Sequence, residues 1–179
     1  MRKMTKKLGV AALIMGLAVA QAQGVGVALA DSDTSEIYTQ YYKDNYKSKK
    51  NKYPYAAKGE VDLNGDGTDE MYITYAYGVR GAYEFFYCED EEVIRAKKFT
   101  GCNVAYFSEE EEKICVVQSG GAADTTFTTY QFNGEKFEKA DCYRYKGGRK
   151  VKCYKNGKRI SESKYDKAVL AMQDWEMLQ

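Results

Sequence analysis

The sequence predicts an α+β fold that is mainly β: an antiparallel meander, as an open sheet or a sandwich, with a helix packed on it before and after. Three observations predict it. Between residues 56 and 160, short β-branched and aromatic runs alternate with turn signals, as hairpins in series do. On both flanks the apolar residues recur at helical spacing instead. Aromatic residues make up 14% of the chain, and its 17 tyrosines all lie beyond residue 30. They supply apolar area for a core together with polar tips that suit half-exposed strands and binding surfaces.

Residues 1–30 read as a secretory signal. Arg2, Lys3, Lys6 and Lys7 precede an apolar run over 8–20, and Ala28-Leu29-Ala30 is a small-x-small site before Asp31. Cleavage is expected after Ala30, giving a secreted, extracellular product; Ala20-Gln21-Ala22 is a second site. An uncleaved anchor is the alternative, weakened by Gln21, Gln23 and the glycines of the run. Cleavage removes four basic residues and no acidic ones, so the net charge falls from +1 to −3 (23 Lys and Arg against 26 Asp and Glu). That balance gives no general basic field for nucleic acid or acidic lipid, and a monomer free of membrane is expected. The remaining length suits one domain.

Over 33–48 a helix is expected. Asp33 and Glu36 resemble a capping box, and Ile37, Tyr38, Tyr41, Tyr42 and Tyr46 share a face. Lys47, Lys49, Lys50 and Lys52 mark a basic linker that reaches Pro54, the chain's one proline. It reads as a solvated connector, or as a contact to anionic cell-wall polymer.

The stretch 62–70, Asp-Leu-Asn-Gly-Asp-Gly-Thr-Asp-Glu, has the pattern D-x-N-x-D-G-x-x-E. Oxygen-bearing side chains at alternate positions of a wrapped loop can converge on one hard cation, and Ca²⁺ takes six to eight oxygens. Asp62, Asn64, Asp66 and Glu70 are the expected side-chain ligands, with the Thr68 carbonyl as a fifth. The stretch departs from an EF-hand, which places a bidentate Glu at position 12, here Ile73, and needs flanking helices. The run 71–77 is β-branched and aromatic, so the loop is expected to join two strands. The alternative is a solvated turn, because Asn, Asp and Gly favour turns without any metal.

On these residues, the window 58–77 resembles the calcium loop of FG-GAP/VCBS repeats, and a motif common in small secreted proteins of Gram-positive bacteria. The repeat proteins carry several copies and this chain one, so no propeller is implied.

Further strands are expected at 83–88 and 92–99 around an acidic turn, at 102–107 and 113–117, and at 127–132 and from 135. Asn133-Gly134, Gly147-Gly148 and Asn156-Gly157 are two-residue hairpin signals. Residues 118–124 read as the longest loop of the sheet region. Ser161 caps a last helix to about 177, with Tyr165, Ala168, Val169, Met172 and Trp175 on one face.

Five cysteines cannot all pair within one molecule. A turn at Gly147-Gly148 would set Cys142 opposite Cys153, and a turn at Ser108-Glu109 would set Cys102 opposite Cys115, leaving Cys88. The alternative is five free thiols acting as small hydrophobes. The chain has no histidine, which removes Ser-His-Asp and Cys-His catalysis and His-ligated metals. No glycine-rich phosphate loop is present. The expected function is therefore a calcium-stabilised binding or surface-interaction module, not an enzyme, for an extracellular protein or glycan. A polysaccharide hydrolase using a carboxylate pair is the alternative.

Overall fold

The computed structural model describes residues 31–78, 80–121 and 123–179; the expected signal and its cleavage site lie outside them. Helix α1 spans Asp31–Asn45 and a 3₁₀ turn follows at Lys47–Lys49. Nine strands then run in order: β1 (Ala57–Val61), β2 (Glu70–Tyr77), β3 (Arg80–Glu89), β4 (Glu92–Ser108), β5 (Lys113–Gly121), β6 (Asp124–Phe132), β7 (Phe137–Lys146), β8 (Lys152–Lys155) and β9 (Lys158–Ile160). Helix α2 (Glu162–Gln173) and a last strand, β10 (Glu176–Leu178), complete the described chain. Every strand pairs antiparallel with the next from β1 to β9, and β10 pairs with β4. The mainly β meander with a helix at each end is thus the observed fold.

The sheet is a single coiled layer. Strands β3 and β7 stand four places apart, about 19 Å in a flat sheet. Their rings Phe85 and Phe137 nevertheless lie 5.1 Å apart, and Phe99 of β4 lies 5.9 Å from Phe137. The concave face encloses these rings with Leu63, Tyr72, Tyr83, Phe132 and Leu178. Strand β4 is where the sheet turns. Its first half bonds β3 and its second half bonds β5, while Ala105, Tyr106 and Phe107 also bond β10. Between the halves Gly101, at φ +68°, is an extra residue against β3, and such bulges bend a strand.

Alternation along β2 sends Tyr72 to the concave face and Met71, Ile73 and Tyr75 to the convex one, under Tyr38 of α1 and Tyr46 just after it. Tyr41 and Tyr42 pack at the edge of this cluster. Helix α2 covers another part of the convex face, with its Met172, Ala168 and Val169, and Trp175 just beyond it, against Cys115, Val117 and Phe127. Ser161 caps α2, its hydroxyl accepting from the Lys164 N–H at 3.3 Å. Asp33, expected at a cap, lies inside α1.

Several expected turns differ. Residues 102–107 continue the strand from 92 rather than starting anew. The stretch 118–124 is a tight hairpin, with Gly121 opposite Asp124, and not a long loop. Only Asn156-Gly157 forms the expected two-residue turn, with both residues at positive φ (48° and 79°) and Lys155 opposite Lys158. At Asn133 and Gly147 the connections are longer, closing with Phe132 opposite Phe137 and Lys146 opposite Lys152. The β4–β5 connection is longer as well, with Ser108 opposite Lys113, and it and the Gly147 connection overturn the two cysteine pairings. Cys153 faces Tyr145 rather than Cys142, and Cys115 faces Tyr106 while Cys102 faces Gln118. All five cysteines are free thiols, and burial pushes Cys102 and Cys115 up to about 12, which keeps them as unreactive core residues.

Gly59 lies opposite Tyr72, whose ring covers it so closely that a Cβ at 59 would overlap the ring. The same ring donates its hydroxyl to the Gln179 carbonyl at 3.3 Å, tying the end of the chain to β2. Gly59→Ala is expected to displace the ring and destabilise the protein by about 1–3 kcal/mol in urea unfolding. An unchanged midpoint would show that the ring moves aside freely.

Candidate metal centre

The β1–β2 connection, residues 62–69, closes an antiparallel pair whose last rung is Val61 opposite Glu70, so the loop joins two strands as expected. Its shape follows from Asp62. One carboxylate oxygen accepts from the N–H groups of Gly65 (2.8 Å) and Asp66 (3.2 Å), and the other from Gly67 (2.9 Å). Wrapping a chain this tightly needs left-handed backbone, supplied by Gly65 at φ +72° and Gly67 at φ +85°. Space matters too at Gly65, where a Cβ would stand 2.8 Å from a carboxylate oxygen of Glu112 in the β4–β5 turn. Asp66 accepts from the Thr68 N–H (2.8 Å) and from the Asn64 side-chain amide (2.9 Å). Leu63, 1% exposed, anchors the loop in the concave core.

Glu70 is the unusual member. It is 5% exposed, and its carboxylate accepts from the Leu63 N–H at 2.9 Å. Burial pushes its carboxyl up to about 8; the Leu63 N–H opposes this, and the charges of Asp66, Asp62 and Asp69 add to it. Among the described residues no lysine or arginine is paired with Asp62, Asp66 or Glu70. The Asn64 side-chain carbonyl is buried and has no hydrogen-bond donor, the one such side-chain atom among the described residues.

The structure thus brings Asp62, Asn64 and Asp66 into one hydrogen-bonded knot, with Thr68 joined through its N–H and Glu70 beneath it. The donor set is all oxygen and suits a hard cation such as Ca²⁺. The orphaned Asn64 oxygen and the uncompensated Glu70 carboxylate are the two atoms a cation would satisfy. Asp62 and Asp66 spend their oxygens on backbone and amide N–H groups, and no three acidic or thiol side chains of the described residues gather into a metal-holding cluster.

The sequence reading passed over a second buried carboxylate. Glu84 of β3 is 1% exposed and lies beneath α1. It accepts from the hydroxyls of Tyr46 (3.1 Å) and Tyr75, from Arg95 (3.0 Å) and from Lys98 (3.2 Å). Burial alone would raise its pKa, but the donors from Tyr75, Arg95 and Lys98 outweigh burial and hold it below the usual carboxylate range. Alternation with Ala82 and Phe86 in β3 was the available signal. Its partners come from the turn after α1, from β2 and from β4, which no local pattern connects.

A cleft of about 340 Å³ adjoins the loop and is lined by Asn64, Gln131, Phe132, Asn133 and Glu138. It carries one carboxylate, where a glycoside hydrolase places two. Comparison of the chain with protein-family models, with curated proteins and with solved structures returned no match.

Proposed function

We propose that the protein is a secreted binding or surface-interaction module whose β1–β2 loop is fixed by Ca²⁺, and that its partner is an extracellular protein or glycan. The reading is carried by Glu70, a buried carboxylate beside three other acidic residues and paired with no lysine or arginine among the described residues. The resemblance of 58–77 to FG-GAP/VCBS loops and the signal-like leader point the same way. Asp62, Asn64, Asp66, Glu70 and the Thr68 carbonyl would hold the ion, which neutralises the clustered carboxylates when bound. Fixing this turn fixes the register of β1 against β2, and through β2 the aromatic clusters on both faces of the sheet.

At millimolar calcium and a Kd of about 10⁻⁴–10⁻³ M, usual for extracellular modules, binding adds about 0.4–1.4 kcal/mol. Thermal unfolding in EDTA and in about 2 mM CaCl₂ is expected to separate by a few degrees for the wild type. The double variant Asp62→Ala, Asp66→Ala should give one midpoint in both buffers. That variant also loses hydrogen bonds to four backbone N–H groups, so the readout is the response to calcium and not the absolute midpoint. Wild-type midpoints that coincide in the two buffers would leave the loop as an Asx-rich turn.

A further inference from the structure

We propose that the 47–52 loop, together with Tyr55, is a docking surface for a linear phosphate-bearing polyanion. This inference deepens the binding-module reading by naming a ligand class, and it does not depend on the calcium loop.

The charge is segregated. From residue 45 to residue 59 the chain has five lysines and no acidic residue, although the chain beyond residue 30 carries more acidic than basic residues. Lys47, Lys49, Lys50 and Lys52 are all exposed, and none is ion-paired among the described residues. The nearest preceding carboxylate, Asp44, is held by the Gln40 amide at 2.8 Å. The four lysines line an open cleft of about 360 Å³. Like charges held this close repel one another, and a polyanion laid along them relieves the repulsion and releases its own counterions.

The loop is also held in place. The Lys49 N–H donates to the Tyr46 carbonyl, and the Lys52 and Tyr53 N–H groups both donate to the Lys49 carbonyl. The Tyr53 ring lies tilted 4.5 Å from Tyr46 and edge-on 4.9 Å from Tyr75, so the loop stands on the aromatic cluster under α1. Beyond Pro54, whose carbonyl accepts from Ala76, Tyr55 is 92% exposed at φ +58°. A bulky side chain in the left-handed region is a genuine outlier, and such strain collects at ligand-binding positions. The result is a preorganised row of ammonium groups ending in an open aromatic face, which suits phosphates alternating with carbon-rich units.

The test is binding of the purified protein to immobilised long-chain polyphosphate in EDTA, at about 50 mM NaCl and upward. The comparison is with K47Q/K49Q/K50Q/K52Q, whose thermal midpoint should stay close to the wild type because the four side chains are exposed, the Lys52 ammonium lying 5.1 Å over the Tyr53 ring. The wild type should bind and should release as salt rises. The quadruple variant should bind at least tenfold more weakly, with the slope of log K against log salt reduced by roughly 0.7 per lysine removed. Binding is measured in EDTA, so its outcome does not depend on whether the 62–70 loop takes calcium. Absent binding, equal binding by the quadruple variant, or binding only to phosphatidylglycerol vesicles and not to polyphosphate would overturn the proposal.

Discussion

Replacing Glu84 by alanine is expected to cost about 3–5 kcal/mol, the range for removing one partner of a buried ionic cluster. The loss is large because four donors converge on this carboxylate: Tyr46, Tyr75, Arg95 and Lys98. They do not lose equally. Arg95 is 57% exposed and Lys98 35%, so both can turn to water. Tyr46 and Tyr75 are 4% and 3% exposed, and their hydroxyls would be left unsatisfied under α1 beside a new cavity. Glu84→Gln keeps an acceptor for one hydroxyl but removes the charge, and should cost roughly half as much. The acid limb is a second readout. The folded-state pKa of Glu84 lies below its unfolded value, so its contribution is fully present above the unfolded pKa and is lost as pH falls through the folded one. Urea unfolding at neutral pH and at pH about 3 should show wild type and Glu84→Gln converging on acidification. A Glu84→Ala variant within about 0.5 kcal/mol of wild type would mean the network does not stabilise the fold.

Glu84 also marks where the sequence stops being legible. Element type followed from local pattern: tyrosines at helical spacing in α1, the stripe from Tyr165 to Met172 in α2, and β-branched runs between. Connections that are settled by distant packing did not follow. Asn156-Gly157 and Asn133-Gly134 are the same dipeptide, yet only the first makes a two-residue turn. At the second, Phe132 and Phe137 both enter the concave core and must stand opposite each other, which leaves four residues to turn. The Asn133 side chain accepts from the Glu135 and Lys136 N–H groups and stabilises that longer loop. Gly147-Gly148 is drawn off its hairpin because the Gly147 N–H donates to Ala123, on the neighbouring turn. The Cys142–Cys153 pairing failed with the Gly147 register, and the Cys102–Cys115 pairing with the longer turn that sets Ser108 opposite Lys113. Strand β10 was hidden by its length, since three residues carry no period, although Leu178 is 3% exposed. Of the 62–70 loop, the oxygens and the glycines could be read from spacing. The approach of Glu112 to Gly65 could not, because it depends on how the coiled sheet carries one turn against another.

Glu70 is expected to make the metal-free protein less stable as pH rises from about 4.5 to about 8, against the usual trend for carboxylates. Its folded-state value is raised above its unfolded one, so the folded chain keeps a proton that the unfolded chain gives up across that window. Stability is greatest below the window and falls through it, by at most about 1.4 kcal/mol per pH unit for a single group. The full window corresponds to a few kcal/mol, the same order as the Glu84 effect. Calcium should invert the behaviour. The ion favours the ionised carboxylate and displaces the proton, so its apparent affinity should climb until pH passes about 8. Glu70→Gln removes both effects while the side-chain carbonyl can still accept the Leu63 N–H. In EDTA this variant should be more stable than wild type at pH 8 and nearly equal to it at pH 4.5, and calcium should not shift it. Parallel pH profiles of wild type and Glu70→Gln in EDTA would mean that burial does not hold the Glu70 carboxyl protonated. The loop would then offer calcium no buried charge to relieve.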